Sequence, residues 1–274
     1  WTYNHAPMLA HWNGKFYLEY LSNPVGEHEP PGQTLLTTSA DGRTWSQPVV
    51  AFPPYPAPAG VTLPPRSTGY MMHQRMGFYT APDGRLLISA FYGHAPNPFR
   101  TGGIGRVVRE IYRDGTMGPI YFVRYNASTP WNESNTAYPF YRRSADQGFV
   151  AACDALLRDR IATEQWRDED PERSAIGGRC SAPSFFHRAD GKVVGICKEA
   201  DATVSGDEGK TWTEAVRSST VITNNAKVWG QRTPDGRYAL IYNPVEFGVQ
   251  RWPLAISLSD GGIVFDTLNL VNGE

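Results

Sequence analysis

The feature that most constrains this chain is a short phrase that recurs four times: Asn-Gly or Asp-Gly, then a basic residue, then a run rich in apolar residues. The copies are HWNGKFYLEY (11–20), APDGRLLISAFY (81–92), RADGKVVGICKE (188–199) and TPDGRYALIYN (233–243). Asn-Gly and Asp-Gly tolerate the positive φ angles of a tight β-hairpin turn, and the apolar run supplies the returning strand. The phrase therefore predicts four hairpins of one kind.

A second string follows these hairpins and ends on an aromatic residue. It reads SADGRTW at 39–45 and SGDEGKTW at 205–212, with a weaker copy, SLSDGGIVF, at 257–265. In such a string Asp and Ser hydrogen-bond the backbone of the turn, Gly takes the sharp corner, and the aromatic ring packs against the sheet. The pattern is the Asp-box of β-propellers, so Asp41 and Asp207 are predicted to brace the fold rather than to catalyse a reaction.

These repeats predict an all-β fold, a β-propeller with four-stranded blades, as one domain over 1–274. Asp260 follows Asp207 by 53 residues, a length that suits one four-stranded blade. At that pitch the chain makes about five or six blades, and a full propeller of about seven would need C-terminal blades that are absent here. One short inserted helix is predicted at 150–168, because apolar residues there fall at helical spacing. They are Ala155, Leu156, Leu157, Ile161 and Trp166.

Composition excludes several classes of function. Lys+Arg 26 against Asp+Glu 27 gives a formal net charge of -1. Nothing in the overall charge therefore recruits nucleic acid or an anionic membrane. No apolar run approaches the roughly 20 residues of a membrane span. An anionic substrate would have to be held by a local group of arginines.

The three cysteines, Cys153, Cys180 and Cys197, are an odd number and cannot make a complete disulfide framework. His187 lies between the last two, so a structural zinc site with three Cys ligands and one His ligand is a candidate. The spacing lacks a C-x-x-C pair, however. Small buried thiols are the alternative interpretation.

Candidate chemistry lies around the second hairpin. His73 precedes one of its strands and His94 follows the partner, so both imidazoles are expected at the same open end if the strands pair around Asp83 and Gly84. Two imidazoles so placed suit proton transfer near neutral pH. Downstream, tyrosines beside arginines offer a proton donor and a carboxylate clamp. These are Tyr138, Tyr141, Arg142, Arg143 and Arg158. Further candidates for substrate binding are His5, Arg75, Asn135, Lys227, Trp229 and Gln231.

Several long strings resemble a family of β-propeller carbohydrate-active enzymes that includes the ulvan lyases and the rhamnosyl-glucuronate lyases, with related propeller α-L-rhamnosidases. They span nearly the whole chain: YNHAPMLAHWNGKFYLEY, GQTLLTTSADGRTWSQP, HQRMGFYTAPDGRLLISAFYG, GRVVREIYRDGTMGPIYFVRYN and KVWGQRTPDGRYALIYNP. The resemblance implies a catalytic group of two His, one Tyr and one Arg. His73 and His94 match the two His, Tyr138 or its rival Tyr141 matches the Tyr, and Arg158 or Arg142 matches the Arg. It also implies a structural zinc held through Cys and His, while calcium stays open as an alternative structural metal.

The function expected from this resemblance is cleavage of rhamnose-glucuronate linkages by β-elimination in an anionic polysaccharide or oligosaccharide. Arginine neutralises the uronate, His73 or His94 removes the C5 proton, and Tyr138 protonates the leaving oxygen at C4. No cofactor is required for that chemistry. We expect a monomer that is secreted or periplasmic.

Three other functions stay open on the sequence. One is an α-L-rhamnosidase acting on the rhamnose-glucuronate caps of arabinogalactan, for which His5 or His11 matches the catalytic His. Another is a non-catalytic carbohydrate-binding propeller. The last is a sialidase, which needs arginines for a carboxylate and a Tyr-Glu nucleophile pair. The first arginine of the chain, Arg43, lies inside an Asp-box and does not suit that role.

Overall fold

The computed structural model describes residues 1–56, 58–63, 65–224, 226–248 and 250–272, with the backbone alone of residues 72–76. Its named strands form four sheets, each of four antiparallel strands that follow one another along the chain. The chain divides into two compact units, Trp1–Asp159 and Arg160–Glu274, and each unit holds two of the sheets. The all-β fold with four-stranded propeller blades is thus confirmed, while the single domain over 1–274 stays a prediction.

The first unit contains blades 1 and 2 and most of the helical insertion. Blade 1 consists of β1 (Tyr3–Trp12), β2 (Lys15–Asn23), β3 (Gln33–Ser39) and β4 (Val49–Phe52). Blade 2 consists of β5 (Gly69–Thr80), β6 (Leu86–Ala95), β7 (Gly103–Ile111) and β8 (Tyr121–Tyr125). Two 3-10 turns (Arg100–Gly102 and Tyr141–Arg143) and helix α1 (Gln147–Arg158) complete the unit. The two blades share one apolar core, in which Phe52, Tyr92 and Phe122 are fully buried.

The second unit contains blades 3 and 4. Blade 3 consists of β9 (Ser184–His187), β10 (Val193–Ile196), β11 (Asp201–Ser205) and β12 (Val216–Arg217). Blade 4 consists of β13 (Trp229–Arg232), β14 (Tyr238–Tyr242), β15 (Leu254–Ser259) and β16 (Asn269–Asn272). Helix α2 (Arg160–Glu164) and 3-10 turns at Pro171–Arg173 and Lys198–Ala200 lie outside the sheets. Phe186, Tyr238 and Leu240 pack in the core between these blades.

The four predicted hairpins are confirmed, and each one joins the first two strands of a blade. Their second turn residue is a glycine with φ between 73° and 87°. The glycines are Gly14, Gly84, Gly191 and Gly236. A residue with a Cβ is disfavoured at such angles, which explains why the phrase keeps Gly at this place.

The Asp-boxes act as backbone braces, as predicted. Asp41 Oδ1 accepts hydrogen bonds from the backbone amides of Arg43 and Thr44, each at 2.8 Å, and from Ser39 Oγ. Asp207 accepts from the amide and hydroxyl of Thr211 in the same manner. These hydrogen bonds hold the pKa of Asp207 at about 2. Both carboxylates are engaged in hydrogen bonds within their own turns and are not available for chemistry.

The expected number of blades and the inserted helix both need correction. The described residues form four blades rather than five or six, because residues 126–183 make turns and helices instead of a sheet. The insertion is also two helices, α1 and α2, which are separated at Asp159, whereas one helix at 150–168 was expected. The buried face of α1 consists of Phe149, Ala152, Cys153 and Leu156. No helix in the described part of the chain is long and apolar enough to cross a membrane.

The strands of the first unit have two contrasting ends. At the hairpin end they are joined by tight turns and by the Asp-box, at 13–14, 40–48, 81–85 and 112–120. At the long-loop end they are joined by longer segments, at 24–32, 53–56 with 58–63 and 65–68, 96–102 and 126–140. Pro30 packs against Gly69, so these segments of blades 1 and 2 meet. Long loops on a rigid sheet are where binding and catalytic residues concentrate.

Candidate functional site

Two members of the predicted catalytic group, His94 and Arg158, lie toward opposite ends of the first unit. His94 closes β6 at the long-loop end, whereas Arg158 is exposed and interacts electrostatically with Tyr79. Tyr79 pairs with Leu87, seven positions from His94 along β6. At about 3.3 Å per residue, these positions are roughly 23 Å apart. This placement argues against a shared reaction centre of Arg158 and His94, and the catalytic role of Arg158 stays a prediction.

His73 is a prediction that the structure leaves open. Its backbone pairs with Phe91, while the backbone of His94 pairs with Tyr70, three positions further along the hairpin. The side chains of His73 and Arg75 lie outside the described residues. Their catalytic and binding roles therefore stay predictions.

His94 is buried and neutral. It is 2% exposed, and its Nδ1 lies 2.9 Å from the carbonyl oxygen of Gly102, to which it donates. The ring stacks on Trp131 with 5.5 Å between centroids. Burial lowers the pKa of His94 despite the hydrogen bond to Gly102, which favours the protonated form. A neutral imidazole with one fixed tautomer could accept a proton, but it lies behind Trp131 rather than in an open cleft.

Tyr138 belongs to the aromatic core of the first unit. Its ring lies about as far from Tyr55 as from Tyr92, at 6.3 Å in both cases. Burial raises the pKa of Tyr138, while a hydrogen bond with Tyr92 and the charge of Arg109 oppose this shift. Packing of this kind is sufficient to explain why a tyrosine lies here. The catalytic role of Tyr138 stays a prediction.

The remaining candidates of this unit make local structure. Tyr141 is buried and donates a 2.5 Å hydrogen bond to Asp154, and Arg142 bonds the same oxygen at 2.7 Å. Asn135 accepts a 2.8 Å hydrogen bond from the amide of Asn132 within a turn. Arg143 forms an ion pair with Glu133 at 2.7 Å. These side chains are engaged by neighbours of the same segment, which lowers their availability to a substrate.

The predicted sugar-stacking residues of the second unit lie on blade 4. Lys227 and Gln231 are exposed, and Trp229 is 44% exposed at the start of β13. Trp229 pairs with Ile241, which in turn pairs with Ile256. Side chains that are directly opposite in a sheet share a face, so Trp229 lies on an apolar sheet face. A face of this composition suits packing at least as well as sugar binding, and the binding role stays a prediction.

The proposed zinc ligands are not brought together. Cys180 and Cys197 form a disulfide with 5.1 Å between their Cα atoms, and His187 bonds Glu208 at 2.8 Å. Cys153 is a buried free thiol in α1, and burial raises its pKa to about 12. No group of three or more metal-ligating side chains occurs among the described residues. The assignment of these four residues to a metal is therefore wrong, because two of the thiols bond each other.

Two arginines that sequence reasoning missed lie at the long-loop end of the first unit. Arg66 and Arg100 are exposed, and neither side chain makes a hydrogen bond or ion pair with a described residue. Both have positive φ angles, 69° and 47°, which are unusual outside glycine and often mark functional segments. The amide of Thr68, close to Arg66, donates to the carbonyl of Ala95, so the two loops adjoin. The only sequence signal was an arginine in each loop without a neighbouring acid.

An acid–base pair lies at the same end of the unit. His5 Nε2 is 3.7 Å from Glu27 Oε1, and both side chains keep partial exposure, 23% and 30%. β1 and β2 bring them together, because Tyr3 at the start of β1 pairs with Asn23 at the end of β2. His5, a weak candidate on the sequence, is thus better placed for proton transfer than His94.

Family models and solved structures give consistent similarities. The model described as BT_1020-like, N-terminal beta propeller matches residues 1–176, and a BNR repeat-like domain matches residues 127–274. A solved structure described as a sialidase is 45% identical, with a TM-score of 0.92, and covers 100% of this chain. The match covers 26% of that protein, so the chain spans about a quarter of its length. No curated protein matches.

More distant structures show the fold alone. One is a mutant of Trypanosoma rangeli sialidase displaying trans-sialidase activity, at 13% identity and a TM-score of 0.57, covering 98% of this chain and 48% of that one. Another is a protein of unknown function from Dyadobacter fermentans, at 14% identity and a TM-score of 0.54, covering 95% and 79%.

These similarities overturn the resemblance to the ulvan and rhamnosyl-glucuronate lyases. The two matching family models describe a BT_1020-like propeller and a BNR repeat-like domain, and the 45% identical structure is described as a sialidase. None of the three is a lyase of rhamnose linkages. The assignment as a polysaccharide lyase is wrong, and nothing supports ulvan, arabinogalactan or rhamnose as its substrates. The sialidase alternative is better supported.

Proposed function

Because the chain belongs to the family of BT_1020-like N-terminal β-propellers and to the BNR repeat-like domains, we propose that it is a sialidase-like glycoside hydrolase. The observation that carries the proposal is its 45% identity, over its whole length, to a protein described as a sialidase. The same match supports a glycan as the substrate. Since the chain spans 26% of that protein, the proposal concerns the activity to which this part contributes.

The proposed substrate is a terminal sugar that bears a carboxylate. Arg66 and Arg100 support this choice, because they are exposed guanidinium groups without a described partner in adjoining loops. Guanidinium groups bind carboxylates through two parallel hydrogen bonds and stay charged at any working pH. Free arginines in such loops therefore favour an anionic sugar over a neutral one.

The proposed proton transfer involves His5 and Glu27. Hydrolysis of a glycoside breaks the bond between the anomeric carbon and the leaving oxygen, which takes a proton, and water supplies the new hydroxyl group at the anomeric carbon. A carboxyl group and an imidazole within 3.7 Å of each other, both partly exposed, can hold and deliver that proton. The buried His94 is less suited, because Trp131 covers its ring.

The test compares aryl glycosides of sialic acid and of a neutral sugar, with the released phenol as the readout. We expect hydrolysis of the acidic glycoside only. Arg66→Ala and Arg100→Ala should each raise KM about tenfold or more, as loss of a charge-assisted pair predicts. Arg43→Ala is the matched control, because Arg43 is exposed in the Asp-box at the hairpin end.

Two results would contradict the proposal. Equal hydrolysis of acidic and neutral glycosides would remove the role of the arginines. No hydrolysis of either by the full-length protein, with binding of the sialoside intact, would favour a non-catalytic carbohydrate-binding propeller.

The disulfide between Cys180 and Cys197 supports a secreted or periplasmic location, which we include in the proposal. Disulfides persist in oxidising compartments and are rare in the cytosol of mesophiles. A glycan-cleaving enzyme would also meet its substrate there.

A further inference from the structure

A buried polar cluster lies between the two blades of the first unit. Glu19 of β2 is 0% exposed, Arg106 of β7 is 1% exposed, and Ser89 of β6 is 5% exposed. Arg106 Nη1 donates to Ser89 Oγ at 3.1 Å, and Ser89 Oγ donates to the carbonyl oxygen of Gly77 at 3.3 Å. The cluster thus ends on the backbone of β5, the first strand of blade 2.

The strand that receives this cluster is irregular at that point. His73 pairs with Phe91 and Gly77 pairs with Ser89, so residues 74–76 lie opposite Ala90 alone. This bulge, residues 74–76 of β5, directly precedes the glycine that Ser89 holds. Bulges re-aim side chains and are over-represented next to active sites.

The neighbouring blade has an irregularity beside the same cluster. In β1, His5 pairs with Leu21 and Met8 pairs with Glu19, and Ala6 between them has a φ of 52°. Glu19 therefore lies opposite Met8 at the end of one irregular stretch, and Gly77 lies at the end of the other. The first strand of each blade therefore departs from regular pairing beside the same buried cluster. We infer that the cluster and the two irregular stretches act together.

Glu19 is an expensive residue to bury. Burial raises its pKa well above the usual range, although the charge of Arg106 and the amide of Gly77 favour the ionised form. Neither carboxyl oxygen completes a hydrogen bond of ordinary geometry with a described group. Apolar residues of similar volume often stabilise a buried site as well as an ion pair does. Packing alone therefore does not explain an acid and an arginine here.

We propose that Glu19, Ser89 and Arg106 are positioning residues, which hold the bulge at residues 74–76 in place for substrate binding at the first unit. The bulge contains Arg75, one of the residues that the sequence predicts to bind substrate. The effect on catalysis rests on the proposed hydrolase function. The effect on the backbone of the bulge does not.

Glu110 provides a matched control. It lies four positions from Arg106 on the same strand, is 8% exposed, and accepts a 2.6 Å ion-pair hydrogen bond from Arg85. Glu110→Gln therefore perturbs a partly buried acid–arginine pair of the same sheet at its hairpin end. Glu110 pairs with Leu87 of β6, whereas the bulge lies opposite Ala90.

The first experiment is amide hydrogen exchange on the folded protein, followed by mass spectrometry of peptides that cover residues 70–80. Ser89→Ala removes the hydrogen bond to Gly77, and Glu19→Ala removes the acid beside Arg106 and Gly77. Each should accelerate exchange about tenfold in this segment, which corresponds to about 1.4 kcal/mol. Glu110→Gln should leave the segment unchanged. Unchanged exchange in Ser89→Ala, or acceleration spread evenly over both blades, would overturn the proposal.

The second experiment measures kcat and KM for the acidic glycoside. We expect Ser89→Ala to lower kcat/KM about tenfold to a hundredfold, as small misplacements of binding groups do, and Ser89→Thr to recover most of it by restoring the hydroxyl. Glu110→Gln at equal thermal stability should retain the wild-type value. If wild type lacks activity while the exchange result holds, the hydrolase proposal fails and the positioning of the bulge stands. Normal activity in Ser89→Ala with altered exchange would overturn the catalytic part of this inference.

Discussion

Tyr70 and His94 lie opposite each other across β5 and β6, with 5.2 Å between their ring centroids. The Tyr70 hydroxyl and the His94 Nε2 atom are both buried without a hydrogen-bond partner among the described residues. Protonation of Nε2 would place a charge in this buried aromatic surrounding, and burial accordingly lowers the pKa of His94. The pair therefore makes the stability of the first unit sensitive to pH.

Replacement of His94 by Gln should reduce that sensitivity. Burial lowers the folded-state pKa of His94, so the unfolded chain takes up the proton first as pH falls. Its contribution to the free energy of unfolding is complete above about pH 6.5 and is lost progressively below, down to the folded-state pKa. Urea unfolding at about pH 7.5 and about pH 5 should show a larger loss for wild type than for His94→Gln.

The exposed His11 supplies the control for this measurement. His11→Gln should lose the same stability as wild type over the same interval. Equal losses in wild type and His94→Gln would contradict the assignment of His94 as a neutral buried residue.

Glu19 should show the opposite sign. Its folded-state pKa is raised, so between about pH 4.5 and that pKa the folded protein binds more protons than the unfolded chain. The contribution of Glu19 is therefore complete below about pH 4.5 and is lost as pH rises. Relative to Glu19→Gln, wild type should become less stable from about pH 4.5 to about pH 8 in urea unfolding. A difference that is constant with pH would show that the carboxyl is ionised when folded.

Local sequence signals predicted the fold well because their physical cause is local. Gly14 and Gly84 are required by the turn itself, and Asp41 bonds amides two and three residues away. The number of blades depends on long-range pairing. Residues 126–183 carried no strand signal of their own. The estimate of five or six blades divided the whole chain by the spacing of one pair of Asp-boxes, so it treated these residues as sheet.

The site was predicted less well, for two physical reasons. The strings that suggested a lyase are mostly hairpins and Asp-boxes. Such motifs specify a fold that many propellers share, and they include few residues that would distinguish one reaction from another. Spacing along a hairpin also gives the end at which a residue lies but not its burial, and His94 proved to be covered by Trp131. Arg66 and Arg100 were missed because a free arginine is recognisable only once its neighbours in space are known.

Tyr141→Phe should destabilise the first unit by about 1–2 kcal/mol, because it removes the partly buried 2.5 Å hydrogen bond to Asp154 that links the 3-10 turn at Tyr141–Arg143 to α1. Tyr121→Phe is the matched control, since its ring packs on Phe149 of the same helix and its hydroxyl has no described hydrogen bond. Thermal or urea unfolding measures both. Equal stabilities of the two variants would show that the Tyr141 hydroxyl contributes nothing beyond its ring.

Removal of the disulfide should destabilise the second unit. Cys180 and Cys197 are 17 residues apart, and a loop of that length is worth about 3 kcal/mol in the chain-entropy account. Reductant should therefore lower the stability of wild type, whereas the Cys180→Ala/Cys197→Ala variant should be less stable from the start and insensitive to reductant. Alkylation in denaturant without reductant should modify Cys153 alone, because the other two thiols are bonded to each other. Modification of all three cysteines, with stability lost to a chelator instead of a reductant, would restore the metal site and refute the disulfide.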